Sequence, residues 1–207
     1  MSESIGGTAA RTVLLAGLFF LCLAACPASA QTRGSWFTYS TAGEPAAEGL
    51  DISVKIPVGY LIAPEPKPRV LKEFYVVNEE TRNLSYMTIT ILGLDRKLIN
   101  GLLKSSDGSW LQSSLSAFWR SMAQGLHGAK SYNEFFFQSS PAADVVVEQS
   151  QTTPYPAFRQ IDTRIVIYGD QLVKLECGDI SPDASVNEHA RNKPTLCHPF
   201  FNSLTMN

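Results

Sequence analysis

The sequence predicts an α+β fold in which an antiparallel β-sheet packs against a central amphipathic helix and a C-terminal helix. Apolar and polar residues alternate with a period of two on both sides of one long segment that has helical periodicity. Short turn signals join neighbouring alternating segments, which is typical of antiparallel hairpins rather than of parallel crossovers. Helices that cover an antiparallel sheet form an α/β sandwich.

The first predicted strands lie between residues 50 and 92. Apolar and polar residues alternate along Leu50–Ile56, which is typical of a half-buried strand. Val70–Asn78 and Leu84–Leu92 also have strand character, and the short polar segment between them favours an antiparallel hairpin. Residues 31–49 form a small-residue and polar lead-in, so we assign a single α+β domain to residues 50–207.

A helix with one apolar face follows these strands. Its apolar stripe predicts burial of that face against the sheet. Six large side chains form the stripe: Leu111, Leu115, Phe118, Trp119, Met122 and Leu126.

Strands return after the helix, and a second helix closes the chain. Gly169-Asp170 lies between two apolar alternating segments and is the strongest hairpin signal in the sequence. The amphipathic segment Leu196–Leu204 predicts the C-terminal helix. The predicted strands are Tyr132–Gln138, Asp144–Gln149, Phe158–Tyr168 and Gln171–Cys177.

The N-terminal segment has the pattern of an export signal. The apolar run Val13–Leu23 is followed by Ala28–Ala30, the small-x-small pattern that signal peptidase cuts. We therefore assign residues 1–30 as a signal peptide cleaved after Ala30 and expect a periplasmic or secreted protein. Cys26 offers an alternative, because it ends a tetrapeptide that resembles a bacterial lipobox, and a lipid on Cys26 would anchor the protein to a membrane.

Cys177 and Cys197 remain for a structural bridge after cleavage at either site. An even pair in an exported chain predicts a disulfide, here closing a loop of about twenty residues and contributing about 3 kcal/mol. A metal or redox pair is the alternative. The sequence has no Cys-x-x-Cys, and His198 beside Cys197 is a poor second ligand because adjacent side chains diverge.

Charge and motif content narrow the classes of function. The net charge of −2 and the scattered basic residues argue against nucleic acid as a partner, since phosphate binding needs a basic face. The sequence has no His-Glu-x-x-His, no Gly-x-Ser-x-Gly and no phosphate-binding glycine loop. We therefore assign no catalytic, cofactor-binding or metal-binding residue and expect no cofactor. A non-catalytic binding or accessory protein is favoured over an enzyme.

Aromatic residues supply a candidate partner surface. In a strand that contains Phe135, Phe136 and Phe137, alternation sends Phe136 to the face opposite its neighbours. That face is either buried under the central helix or exposed as a contact patch. Tyr60 and Tyr155 lie near loops and can join such a patch. We take Tyr60, Phe136 and Tyr155 as candidate contacts for another envelope protein or for an imported one.

Two short motifs resemble the PsbP-like superfamily, which includes extrinsic photosystem subunits, a nuclear-transport regulator and bacterial envelope proteins. Ile52–Tyr60 resembles the opening strand of that family with its Pro-x-Gly-aromatic turn, and Cys197–Leu204 resembles its closing helix. The resemblance implies a PsbP-like sandwich over Leu50–Leu204 and a role as an inhibitor, immunity factor or assembly factor. It carries no catalytic residue. A small-ligand carrier or a hydrolase with a pocket between sheet and helix is the alternative.

We predict that the protein isolated from its native envelope begins at Gln31 and carries no lipid, because Ala28–Ala30 is the preferred cleavage pattern. Intact-mass spectrometry checks this expectation. A diacylated or triacylated Cys26 as the first residue would contradict it.

Overall fold

The computed structural model describes residues 35–95, 97, 108–151 and 157–207, with the side chains of the central helix from residue 116 onward. The predicted export signal, with Ala30 and Cys26, and the candidate contact Tyr155 lie outside the described residues. The strands are β1 (Trp36–Ser40), β2 (Ile52–Pro57), β3 (Leu61–Ile62), β4 (Lys72–Asn78), β5 (Asn83–Gly93), β6 (Ala129–Phe137), β7 (Ser140–Gln151), β8 (Ala157–Tyr168), β9 (Gln171–Ser181) and β10 (Thr205–Met206). The central helix α1 spans Gly108–Gly125.

The strands form two antiparallel sheets, which confirms the predicted fold class. The larger sheet has seven strands in the order β3-β4-β5-β9-β8-β7-β6, and the smaller has three in the order β1-β2-β10. Both predicted hairpins are confirmed. Strand β4 pairs with β5, and β8 pairs with β9 through the Gly169-Asp170 turn, where Gly169 has a positive φ of 60°.

The seven-stranded sheet is covered on both faces. Its inner face packs against the smaller sheet and the C-terminal residues in one apolar core. Its outer face packs against α1 in a second core, where Trp119 and Ala123 contact the β7, β8 and β9 side chains. The outer core contains Trp119, Ala123, Ala143, Val145, Val147, Ile165, Ile167 and Leu172.

The C-terminal residues form a run of short helical turns instead of the single helix predicted at Leu196–Leu204. Helix α2 spans His189–Asn192, a π-helical turn spans Lys193–Cys197, and helix α3 spans His198–Asn202. Cys177 on β9 is bonded to Cys197 with a Cα–Cα distance of 5.4 Å, which confirms the predicted disulfide. We call residues 189–202 the C-terminal helical segment.

The structure also contains a strand that the sequence pattern did not predict. Strand β1 lies in the expected lead-in, where it pairs with β2 from Trp36↔Pro57 to Ser40↔Ser53. No alternation marks it because most of its residues are exposed. Tyr39 anchors it, since the ring packs edge-on against Phe74 with centroids 5.3 Å apart.

None of the helices in the described part of the chain has the length and apolar character needed to cross a bilayer.

Gly178 lets two neighbouring strands approach β9 closely. It lies opposite Tyr86 of β5 and is followed by the buried Asp179. A Cβ atom at this position would lie 3.0 Å from the Tyr86 hydroxyl oxygen and 3.0 Å from the backbone oxygen of Gln160 on β8. The backbone oxygen belongs to a strand paired with β9, so it has little freedom to move away.

We predict that Gly178→Ala lowers the free energy of unfolding by about 1–3 kcal/mol, because the added methyl group crowds a paired backbone. Urea denaturation followed by circular dichroism measures the change. Gly125→Ala is the matched control, since nothing lies within 4 Å of a Cβ at that position. We expect this helical substitution to be neutral or stabilising by up to about 1 kcal/mol. Equal losses in the two variants would contradict the crowding argument.

Candidate functional site

A cluster of buried charges lies between the inner face of the large sheet and the C-terminal helical segment. Asp162 is on β8 and Asp179 on the adjacent β9, while His189 begins α2. The His189 ring bridges the two carboxylates, with Nε2 3.1 Å from Asp162 Oδ2 and Nδ1 3.3 Å from Asp179 Oδ2. All three residues are at most 5% exposed. The cluster therefore joins two strands to one helix through ionisable groups shielded from water.

Two ionised carboxylates facing the ring favour a positively charged imidazole. A neutral imidazole has one N–H donor and one lone pair, so it can donate to only one of the two carboxylates. Burial lowers the pKa of His189, but the hydrogen bonds and charges of Asp162 and Asp179 outweigh burial and raise the pKa above 6.5. For Asp162, burial raises the pKa, but His189 and Lys193 outweigh it and hold the pKa below 3.8.

Further donors satisfy the remaining carboxylate oxygens. Lys193 Nζ lies 2.9 Å from Asp162 Oδ1, so the ammonium and the imidazolium balance the two negative charges. Asp179 instead accepts hydrogen bonds from neutral side chains. These are Asn83 at 2.9 Å, Asn192 at 3.2 Å and the hydroxyl of Ser85.

Tyr60, one of the candidate contacts, lies beside this cluster. Its side chain is partly buried and packs against the inner core. Burial and the nearby charge of Asp179 raise the pKa of the Tyr60 hydroxyl. Because β3 follows Tyr60 directly, this residue lies at the opposite edge of the sheet from Phe136 on β6. The structure does not bring the two residues together.

Phe136 is displayed at the β6 edge because its two neighbours are held on the inner face. The Arg164 guanidinium lies 5.0 Å from the Phe135 ring centroid and 5.3 Å from that of Phe137. It also makes a bidentate ion pair with Asp144 at 2.8 and 2.9 Å. Phe136 therefore points to the other face, where it is 70% exposed.

A second exposed apolar surface lies at the β3 edge. Leu61 on β3 pairs with Tyr75 on β4, and Val77 lies two residues further along β4 on the same face. Val58 in the preceding turn and Ile62 are also about half exposed, but Ile62 pairs with the buried Phe74 and so points to the opposite face from Leu61. We call Leu61 and Val77 the β3–β4 patch, and their exposed fractions are 59% and 50%.

The cluster and the patch suit different tasks. His189 and both aspartates are covered and mutually engaged, so no substrate reaches them in this conformation. Aliphatic side chains that are half exposed in adjacent elements are a feature of contact surfaces. Neither site was predicted from the sequence. Asp162 and His189 are 27 positions apart and belong to no common motif. The β3–β4 patch follows a turn that carries no motif.

We predict that stability is greatest between about pH 4 and pH 6.5. The raised pKa of His189 gives a contribution that is complete below 6.5 and is lost as pH rises through the folded-state pKa. The lowered pKa of Asp162 gives a contribution that is complete above 3.8 and is lost as pH falls through its folded-state pKa. Chemical denaturation across this pH range measures both limbs.

His189→Ala should lower the free energy of unfolding at pH 6 by about 3–5 kcal/mol, because it leaves buried carboxylates short of a donor. It should also flatten the alkaline limb of the pH profile. His198→Ala is the control, since His198 is exposed. An unchanged alkaline limb in His189→Ala would show that another group produces it.

Comparisons with known proteins give matches to solved structures alone. Neither protein-family models nor curated protein sequences give a match. The chain is similar to cyanobacterial PsbP (CyanoP) from Synechocystis sp. PCC 6803, with a TM-score of 0.48, 10% identity and coverage of 90% of this chain and 99% of that one. It is also similar to the Saccharomyces cerevisiae Ran-binding protein Mog1p, with a TM-score of 0.44, 12% identity and coverage of 83% and 96%. The PsbP-like resemblance is therefore one of fold only.

Proposed function

We propose that this chain is an exported bacterial envelope protein that acts by binding another protein, as an inhibitor, immunity factor or assembly factor. The export pattern of residues 1–30 supports the location. The Cys177–Cys197 disulfide is compatible with it, since such bonds persist in oxidising compartments. The partner is another envelope protein or an imported one, and contact with a membrane would come only through a lipid on Cys26.

The observation that carries this proposal is the β3–β4 patch. Its two aliphatic side chains lie on one face and are each at least half exposed, although they come from two paired strands. Burying one such side chain fully contributes about 1.5–3 kcal/mol, so a partner that covers the patch gains substantial affinity. Strand pairing also fixes the positions of Leu61 and Val77, which limits the entropy lost on binding.

The contact surface proposed here differs in part from Tyr60, Phe136 and Tyr155. Tyr60 is adjacent to the patch and supports it from the core side. Phe136 lies at the far edge of the sheet, away from the patch, and is not part of the proposed surface.

The alternative of a ligand pocket between sheet and helix gains no support from the described residues. Trp119, Val145 and Ile165 fill the space between α1 and the sheet, each being at most 2% exposed. A cleft of about 270 Å³ exists elsewhere, in the loop that joins β1 to β2, and Thr41, Glu44 and Asp51 are among its lining residues. Neither feature resembles a binding site enclosed by helix and sheet.

The test is affinity purification of a C-terminally tagged protein from its native envelope, comparing wild type with Leu61→Asp and Val77→Asp. We expect the wild type to co-purify with a stoichiometric protein partner. Either variant should retain at least tenfold less of that partner, because burying the introduced carboxylate against the partner costs free energy of desolvation. Phe136→Asp is the matched control at the other edge and should retain the partner.

Thermal unfolding of the variants confirms that each remains folded. A partner retained by both patch variants and lost only with Phe136→Asp would overturn the assignment of the surface. Purification of the wild type without a protein partner would overturn the proposed function itself.

A further inference from the structure

We infer that reduction of the Cys177–Cys197 disulfide converts the buried charge cluster into a binding site for a divalent transition metal such as zinc, with Cys197, His189 and Asp162 as ligands. This inference is independent of the proposed protein-binding role.

The ligand atoms are already close together. One atom each from Asp162, His189 and Cys197 lies within 4.8 Å of the others, and all three residues are buried. Zinc binds sulfur at about 2.3 Å and nitrogen or oxygen at about 2.0–2.2 Å, so tetrahedral ligands are separated by about 3.3–3.8 Å. A contraction of about 1 Å at the widest separation therefore suffices. In the oxidised protein the Cys197 sulfur is bonded to Cys177 and is not a thiolate ligand.

The surroundings of His189 match those of a metal-binding histidine. Its Nε2 faces Asp162, while its Nδ1 lies 3.3 Å from Asp179 Oδ2. A metal-ligating histidine characteristically donates its second N–H to a carboxylate, which fixes the tautomer and the ring orientation. Asp179 is placed to accept that hydrogen bond while Nε2 binds the metal. Lys193 holds Asp162 Oδ1, which leaves Oδ2 for coordination.

The chemistry balances with a dithiol as reductant. The dithiol gives two electrons and two protons to the protein disulfide, yielding two protein thiols, and is itself oxidised to a disulfide. The metal ion then binds Cys197 as the thiolate and His189 as the neutral imidazole, and the two displaced protons go to solvent. A water molecule takes the fourth position.

The buried charge is the same before and after this exchange. In the oxidised cluster, the imidazolium and Lys193 balance Asp162 and Asp179. In the metal-bound cluster, the divalent ion and Lys193 balance these two carboxylates and the new thiolate. Because no net charge is added to a buried site, the large penalty for an unpaired ion does not arise.

Two single variants test the inference, with cobalt(II) as the probe. Cys177→Ser and Cys197→Ser each abolish the disulfide and each leave one free thiol in this pair, but only Cys177→Ser retains the proposed sulfur ligand. We expect Cys177→Ser to bind one cobalt ion per chain, with thiolate-to-cobalt absorption, and at least a hundredfold more tightly than Cys197→Ser. Adding Asp162→Asn to Cys177→Ser should weaken cobalt binding at least tenfold.

The wild-type protein provides a second measurement that avoids substitutions. A trialkylphosphine reduces the disulfide and becomes a phosphine oxide, with water supplying the oxygen atom and the two protons. We expect thiolate-to-cobalt absorption only after this reduction, with near-ultraviolet circular dichroism showing a retained fold. Equal cobalt affinity in the two cysteine variants would overturn the inference. So would loss of the fold, or absence of the absorption, in reduced wild-type protein that contains cobalt.

Discussion

Much of this fold depends on stabilising the charged carboxylates of Asp162 and Asp179 in the protein interior. They lie on adjacent strands of the large sheet, are buried, and cannot remain ionised there without donors and positive charge. The sheet supplies only part of this requirement, through Asn83 and Ser85 on β5. The rest comes from His189, Asn192 and Lys193, so the C-terminal helical segment is an electrostatic component of the sheet as well as its apolar cover.

Apolar packing and covalent bonding reinforce the same connection. Phe200, Phe201 and Leu204 are buried in the inner core with residues of β2 and β5. Arg164 contributes on the same face, because its guanidinium lies 5.3 Å from the Phe201 ring centroid and donates to Asn202 Oδ1 at 3.0 Å. The end of the chain is thus held by charge pairing, apolar packing, a covalent bond and the contacts of Arg164. Among the described residues, most of the exposed large apolar side chains lie at or beside the two edges of the large sheet.

The sequence predicted those parts of the fold that are encoded locally. Alternation identified β2, and the two hairpins followed from turn residues and short polar connections. The disulfide followed from the number of cysteines and the expected compartment. Strand β1 was missed because its exposed residues do not alternate. The helical turns before Leu196 could not be predicted, because residues 182–194 are polar and carry no periodicity.

The candidate sites were harder to predict because they are made by pairing and packing. His189 belongs to no motif, and Asp179 lies beyond the predicted end of its strand at Cys177. Only the pairing of β8 with β9 brings the carboxylates of Asp162 and Asp179 together beneath α2. Tyr60 was expected near a surface, but the β3 turn directs its ring inward. Phe136 could be assigned to the opposite face from its neighbours by alternation alone, whereas its exposure depended on how far α1 extends over the sheet.

The position of the disulfide has a consequence for the order in which the protein assembles. Cys177 and Cys197 are 20 positions apart, and the ring of chain between them contains Asp179, His189 and Lys193. Once the bond has formed, these groups have a high effective concentration for one another, as tethered partners do. Formation of the cluster then becomes a local step within a short ring. Before oxidation the same groups must be brought together by the packing of the whole inner core, so folding of the reduced chain should be the more sensitive to substitutions there.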